Sequence, residues 1–504
     1  MLRTVFDNSR AKSADSGRAR LLHIRAAHSS RNVRGPAADS QLKIGCRLQR
    51  RCCSIALLFT GILAAQQSTS FQGSIPGAAS PTPVALTLQD AVQRGLKFNL
   101  GLLESRDASQ TARAERIQAL SALLPQVTGS ISATEEQLDL KTIGFNFSQP
   151  GFAIPTVIGP FHYTIAQVNV SAKAFDWNAR KNLKSARENE QAARLSVDAS
   201  RDLVVQAVAN AYLQVIADGS RVVAIQAQVE TDQALYHRAL DQKTAGVAAG
   251  IDVLRAQVQV KTEQQALLAQ QNQFDKDKLA LGRIIGFPPA QVFHLADDIP
   301  FAPLTSVTQE EALRVALAQR ADYQSSKKYV DAAKQSVQAA RAEWYPTVDV
   351  NGDYGDAGTT FASSHGVFAV TGAVNFNIYN GGRIRADVEK ARAALQQRSE
   401  EMANLGAQIE VDVRNAFFDL HSAADQVAVA RDNLTLANQT LQQARDRFTS
   451  GVTDNIEVVQ AQGFVATAND NLIAALYAHN LAKVSLARAM GMTEQRVKQF
   501  VEVK

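Results

Sequence analysis

Thr244 to Gln257 reads TAGVAAGIDVLRAQ and Thr449 to Gln462 reads TSGVTDNIEVVQAQ, so the pattern T-x-G-V-x-x-x-I-[DE]-V-x-x-A-Q occurs twice in one chain. Each copy sits between two long Ala/Gln-rich segments with helical spacing and marks the point where one folds back on the other. Before the first copy Val208, Val215, Val222, Val229 and Tyr236 fall seven apart. Val413, Leu420, Val427, Leu434, Leu441 and Phe448 repeat that register, displaced by 205. On the returning arms Val253, Val260, Leu267, Phe274 and Leu281 match Val458, Val465, Leu472, His479 and Leu486. A seven-residue period is the signature of coiled-coil packing with a left-handed supercoil. Both hairpins close on a glycine, Gly286 in LGRIIG and Gly491 in LARAMG. No proline lies between Pro160 and Pro288. A helix from about 178 to 245 would therefore be roughly 100 Å long at ~1.5 Å per residue, a length that needs side-by-side partners.

The duplication extends upstream. Apolar residues keep helical spacing from Thr87 to Leu124, before Pro125, and from Thr308 to Tyr345, before Pro346, the two blocks aligning without a gap at an offset of 221. Proline stops a helix and forces extended geometry on the residue before it. Beyond each proline the residues alternate with period two. Val348, Val350 and Tyr354 face away from Thr347, Asp349, Asn351 and Asp353; Phe368, Val370, Val374, Phe376 and Ile378 face away from Ala369, Thr371, Ala373, Asn375 and Asn377. In the first repeat Val127 and Ile131 open the pattern, and Val168 and Val170 alternate with Gln167, Asn169 and Ser171. These are strands with one apolar and one polar face. Glu135 to His162 reads as the loop between the first pair, and Gly355 to Gly366 as the shorter counterpart.

The formal charge of +5 is uneven. Residues 1–65 carry 12 of the 53 Lys/Arg and 3 of the 48 Asp/Glu, leaving 41 basic against 45 acidic residues in the remainder. That slightly acidic body does not suggest a nucleic-acid partner. Arg50-Arg51 precedes the apolar run CCSIALLFTGILAA, Cys52 to Ala65, in the order of a secretory signal, which puts the mature start near Gln66. A short transmembrane anchor is the alternative, although the run is shorter than the ~20 residues of a spanning helix. Cys46, Cys52 and Cys53 are the only cysteines, so an exported chain has no thiol, disulfide or Cys metal ligand. The expected organisation is a signal or leader region (1–65), a flexible linker rich in Ser, Gly and Pro (66–85), and two structural repeats (86–300 and 301–504), each a helix, two strands and a helical hairpin.

Four strands, each long enough for the ~9 to 11 residues that cross a bilayer in a barrel, cannot close a useful barrel alone, and lipid leaves an open sheet edge unsatisfied. Several chains must share one barrel, with the polar helices projecting into an aqueous compartment. The order helix, proline, strand, loop, strand, long helix, G-V tip and returning helix, twice over after a signal, resembles the TolC-like outer membrane efflux protein family. The resemblance covers Leu86 to Met492 and rests on the two tips, on AEWYPTVDVNGDYG around Pro346 and on Asn380-Gly381-Gly382-Arg383. It implies a mostly α fold with a small β part: a homotrimer, a 12-stranded barrel in outer membrane lipid and a periplasmic helical tunnel. It also implies a periplasmic adaptor and an inner-membrane transporter as partners, in a tripartite efflux or type I secretion system. A non-pore periplasmic coiled-coil scaffold or adaptor is the rival reading, one with no use for the apolar strand faces.

Candidate site residues cluster at the two ends. The resemblance implies an acidic constriction at the second tip, with Glu457 as its acid and Asp454 adding to it; Gln460 stands where the family often has a second acid. Asp252 occupies the equivalent place after the first tip. A helix N-terminal charge that complements the macrodipole is the alternative for both acids, preferred for Asp252 and not for Glu457. Gly246, Val247, Gly451 and Val452 are candidate adaptor contacts, although turn chemistry alone accounts for the glycines. Trp177, Trp344, Tyr345 and Tyr379 at the helix–strand junctions are either packing residues or an aromatic belt at the membrane edge. His479, at a heptad position, reads as a packed histidine. His162, His237, His294, His365 and His421 show no metal-binding spacing, so no metal or other cofactor is expected. No nucleophile motif or phosphate-binding glycine loop appears, and Glu310-Glu311 is explained by helix capping. The chain is read as a passive duct and not as an enzyme.

Overall fold

The computed structural model describes residues 71–144, 155–247, 249–297, 307–453 and 455–494. The expected leader, the 300/301 repeat boundary and Asp454 lie outside them. Two helical hairpins dominate: α3 (Trp177–Thr244, 68 residues) with α4 (Gly250–Ile284), and α7 (Arg383–Thr449, 67 residues) with α8 (Asn455–Ala489). The heptad positions form their seams: Val208, Val215, Val229, Val253 and Val260 are buried in the first, and Val413, Leu420, Val427, Leu441, Val458 and Val465 in the second. Each hairpin turns through a glycine at positive φ, Gly246 or Gly451 (both 72°). Val247 N–H donates to the Gln242 carbonyl (2.9 Å) and Val452 N–H to Arg447 (3.0 Å), the six-to-one bond that closes a helix on a left-handed residue.

The helical stretch before each proline is broken in two. Leu88–Phe98 (α1) gives way to Leu100–Ser121 (α2) at Asn99, and Gln309–Gln319 (α5) to Ala321–Ala342 (α6) at Arg320; both break residues have extended backbone. Neither break has a proline or glycine, so the spacing predicts one continuous helix in each repeat. Tertiary partners make the difference. Asn99 is buried and caps α2 by accepting from Gly101 N–H (3.0 Å), while its Nδ2 donates to the Phe71 carbonyl (2.8 Å). Buried Arg320 donates to Asp322 (2.7 Å) and to Asp412 of α7 (2.9 Å). Burial alone would raise the Asp322 carboxyl, but hydrogen bonding to Arg320 holds it below its usual range.

Residues 71–85 fall in the span expected to be a linker, yet they are a strap bound to the first break. Leu100 N–H donates to Gly73 O, Ile75 N–H to Phe98 O and Gly77 N–H to Gly286 O. The strap ends in β1 (Val84–Leu86), which pairs in parallel with β4 (Phe293–Leu295) beside a core that includes Leu102, Val208, Tyr212 and Ile285. A second core, around Ile409, Val413, Phe417, Leu486 and Met490, covers α5 in the same way. Composition made the strap look free because many of its anchors are backbone groups.

The strands β2 (Gln126–Asp139), β3 (Val157–Phe175), β5 (Thr347–Gly358) and β6 (His365–Asn375) form one antiparallel sheet in the order β2-β3-β5-β6. The first pair runs further than its pattern indicated: Glu135 to Asp139 and Val157 to His162, expected as loop, are paired strand. β6 stops at Asn375, so Phe376 and Ile378 lie beyond it. No helix among the described residues is long and apolar enough to cross a membrane.

The sheet wall and the helical tips

Register sorts the sheet into two chemical faces. Val127, Val170, Gly352 and Val370 stand side by side across the four strands, and Gly129, Val168, Tyr354 and Phe368 form the next row of the same face. Further along that face Ala172, Val350 and Gly372 align, as do Phe175, Val348 and Val374, where a bulge after Lys173 shifts the register by one residue and brings Phe175 onto this face. The opposite face aligns Thr128, Asn169, Asp353 and Ala369, and Gln126, Ser171, Asn351 and Thr371. The apolar side chains are uncovered, Phe368 and Val370 at 75% and 74% exposure. A soluble sheet buries such a face; a barrel wall turns it to lipid and its polar face to the lumen. β2 and β6 are both edges, with a row of backbone groups that pair with no other strand among the described residues.

At the foot of the sheet Trp177, Trp344, Tyr345 and Tyr379 are all at least partly solvent-exposed. Trp177 stacks on Phe175 (6.3 Å between centroids), with Lys181 5.5 Å from its ring and Arg180 5.5 Å from that of Phe175. Tyr345 shares a cleft with Asp176, Asn377 and Arg383, and Arg383 pairs with Glu343 (2.8 Å).

The tip residues lie at the far end of the long helices, about 100 Å away along α3. Glu457 and Asp252 occupy the first turns of α8 and α4. Glu457 is 3.6 Å from Arg447 of α7, and Asp252 accepts from Arg255 at 3.4 Å. Gln460 lines a groove of about 480 Å³ between the two tips, with Ile251, Leu254, Arg255, Val258 and Ile456. Val247 and Val452 are 78% and 68% exposed, so neither is consumed by packing on its own hairpin. Gly246 and Gly451 have open space around them.

His479 is buried in α8; burial, then the charge of Lys483, pushes it down to about 4, so it is neutral. Among the described residues no cluster of three His, Cys, Asp or Glu is placed to hold a metal. A node that sequence reasoning missed lies a few turns above the tips. Asp232 of α3 is 2% exposed and accepts at Oδ1 from Gln228 (3.0 Å) and from Gln462 of α8 (2.7 Å). Burial, then the charge of Glu263 on α4, pushes its carboxyl up to about 6. Its signal was available: an acid on the seam itself, three residues after Val229 and four before Tyr236, where the second repeat has Ala437.

Residues 91–287 and 312–492 match the family described as Outer membrane efflux protein. The toluene efflux pump outer membrane protein TtgC of Pseudomonas putida is 25% identical over 428 residues, 80% of this chain and 82% of its own. The cation efflux system protein CusC of Escherichia coli is 25% identical over 240 residues, 45% of this chain and 50% of its own. Among solved structures, the outer membrane protein VceC of Vibrio cholerae superposes with a TM-score of 0.68 at 20% identity, covering 80% of this chain and 96% of that one. The chain belongs to the outer membrane efflux protein family.

Proposed function

We infer that this protein is the outer-membrane exit duct of a tripartite efflux system, a passive conduit from periplasm to exterior. The observation that carries the reading is the two-faced sheet: an apolar band on one side, a polar wall on the other, continuous at its foot with helical hairpins about 100 Å long. The same sheet argues against a non-pore scaffold, which would leave Phe368 and Val370 in water at a cost of roughly 2 kcal/mol each.

Assembly as a homotrimer is the closure that a single chain leaves open. The β2 and β6 edges need partners in lipid, and three four-stranded sheets joined edge to edge make twelve strands. The hairpins call for the same closure: α4 exposes Leu254, Val258, Leu268 and Leu279, and α7 exposes Val411, Phe418, Val429 and Leu436. A ring in which α4 of one copy packs on α7 of the next covers both stripes, a heterologous contact that closes.

Glu457 is assigned to the constriction at the closed end, three copies around the axis, with Asp454 beside it and Gln460 and Asp252 at its margin. Val247 and Val452, presented by Gly246 and Gly451, are assigned to contact with a periplasmic adaptor, itself joined to an inner-membrane transporter. Trp177, Trp344, Tyr345 and Tyr379 are assigned to the inner edge of the membrane. The cargo is set by the transporter; relatives of this chain are named for toluene and for cations. No catalytic step is assigned. The test is heat-resistant trimers in the outer-membrane fraction that conduct ions in planar bilayers, together with export that stops when engineered cysteines link the two tips. A soluble, non-conducting protein overturns the duct, and undiminished export through linked tips overturns the gate.

A further inference from the structure

The first hairpin carries four acids at its α3–α4 seam where the second carries none. Asp218 lies against Asp277, which helps to raise its carboxyl, and two heptads nearer the tip Asp232 lies in the field of Glu263, so the two carboxyl pairs keep one antiparallel register. The positions displaced by 205 are Ala423, Ala437, Ala468 and Ala482, all buried. A hairpin of this length and turn therefore packs on alanine at these layers, and the acids are not a requirement of the coil.

The two pairs differ in what compensates them. Asp218 accepts from Arg221 (3.1 Å) and Gln270 (3.3 Å), and Arg221 continues to Asp470 of α8 (2.8 Å), so that layer has its cation. Among the described residues the Asp232 layer has none. On α3 it meets Gln228; α4 brings Glu263, whose carboxyl burial also raises, and Gln259, which donates to Glu263 (3.1 Å); α8 brings Gln462. Over residues 455–470 the titratable groups of α8 are Glu457 and Asp470, each beside an arginine. α7 borders this part of α3 across a groove holding Glu230, Arg238 and Arg445. Asp232 Oδ2 and Gln462 Oε1 are buried without a hydrogen-bond partner. Two buried acceptors and no cation make room for a proton: a protonated carboxyl supplies the missing donor and removes one of two like charges.

We propose that Asp232 and Glu263 share one proton at the junction of α3, α4 and α8, and that its presence sets how tightly the first hairpin holds to the second above the tips. With the proton bound, the junction keeps a single negative charge and Asp232 Oδ2 gains a hydrogen to donate. Without it, two carboxylates face each other across the α3–α4 seam and the first hairpin loosens, while the alanine-packed second hairpin does not respond. The proton site is a property of the coil packing, whether or not the chain forms a pore.

The experiment is amide hydrogen exchange on the full-length protein in detergent at pH 5 and pH 8, corrected for the intrinsic chemical rate. Peptides covering 225–240 are compared with their counterparts over 430–445 in the same sample. The protection ratio between them should fall on the order of tenfold from pH 5 to pH 8, the factor that one pKa unit represents. Asp232→Asn, neutral and isosteric, should hold the ratio at its acid value throughout, and so should Glu263→Gln, which serves if the first variant does not fold. A native ratio that changes less than about twofold overturns the proposal, as does a pH response that persists in either folded variant.

Discussion

The two hairpins share a turn, a heptad register and nearly the same arm lengths, yet one repeated residue lives in two environments. Gln257 and Gln462 end the same fourteen-residue motif; Gln257 is exposed, whereas Gln462 is buried and donates to Asp232. The motif fixes a local event, a helix closing on a left-handed glycine and reopening after a few residues. What each arm touches then depends on its place among four long helices, and there the repeats have diverged: acids line the first seam and alanines the second.

Moving the acid to the other hairpin should break this difference at the greatest cost. Ala437 is buried beside Leu441, Val458 and Ala461. Ala437→Asp places a carboxylate among these apolar side chains, with the shorter Asn433 where Asp232 has Gln228. Burying an uncompensated charge should cost on the order of 4 kcal/mol at pH 7.5. Urea unfolding in detergent measures it, and the deficit should shrink at pH 5 as the new carboxyl takes a proton. A loss under 1 kcal/mol would show that the second hairpin is not closed to charge.

The native protein should show the smaller, opposite-sided version of the same effect. Asp232 titrates near 6 when folded and near 3.8 when unfolded, so the folded state holds the extra proton between those values. Stability from this site is therefore complete below about pH 4, declines as pH rises and levels off above about 6; the total is about 3 kcal/mol at 1.36 kcal/mol per unit. Unfolding free energies from pH 4 to 8, native minus Asp232→Asn, isolate it. A flat difference would mean that Glu263 and the glutamines compensate the charge.

Glycine separates the two ends of a hairpin in the same way. Gly451 and Gly491 both have φ near 70°. A Cβ at Gly451 meets nothing within 4 Å, whereas one at Gly491 would lie 2.7 Å from the Cα of Arg320. Gly451→Ala should cost only the left-handed backbone term of about 1 kcal/mol. Gly491→Ala adds displacement of the α5–α6 break and should reach roughly 2–3 kcal/mol. Equal losses would mean that the break moves freely.

Legibility tracked the range of the interaction. The heptads, the tips and the apolar rows were readable because each is periodic or confined to a few neighbouring residues, and the duplication supplied an internal control. The breaks at Asn99 and Arg320 were not. Both depend on partners far along the chain, Phe71 for one and Asp412 for the other. The strap was invisible because many of its bonds use its own backbone groups, with partners such as Asn99 and Gln291 lying elsewhere in the chain. Strand ends blurred where Glu135 and Glu136 sit inside β2, a composition that looks like loop until pairing with His162 and Phe161 satisfies the backbone. At the tips the residue types were readable, but not their surroundings: the Arg447 partner of Glu457 and the burial of Gln462 emerge only when α3, α7 and α8 are packed together.

The smallest energetic effect bears most directly on function. Asp252 and Glu457 are equivalent by sequence, and each sits in a first helical turn near an arginine. Asp252→Asn and Glu457→Gln should each cost less than about 1 kcal/mol, since both acids gain only the helix dipole and a loose ion pair. Stability therefore cannot tell them apart, and ion selectivity can. If the constriction lies at the second tip, Glu457→Gln removes three charges from the narrowest ring and lowers cation over anion preference in planar bilayers, while Asp252→Asn leaves it near the native value. The expected size is modest, because Gln460 offers no second carboxylate one turn on. Equal shifts from the two variants would make the repeats functionally alike at the tip, and a larger shift from Asp252→Asn would move the constriction to the first hairpin.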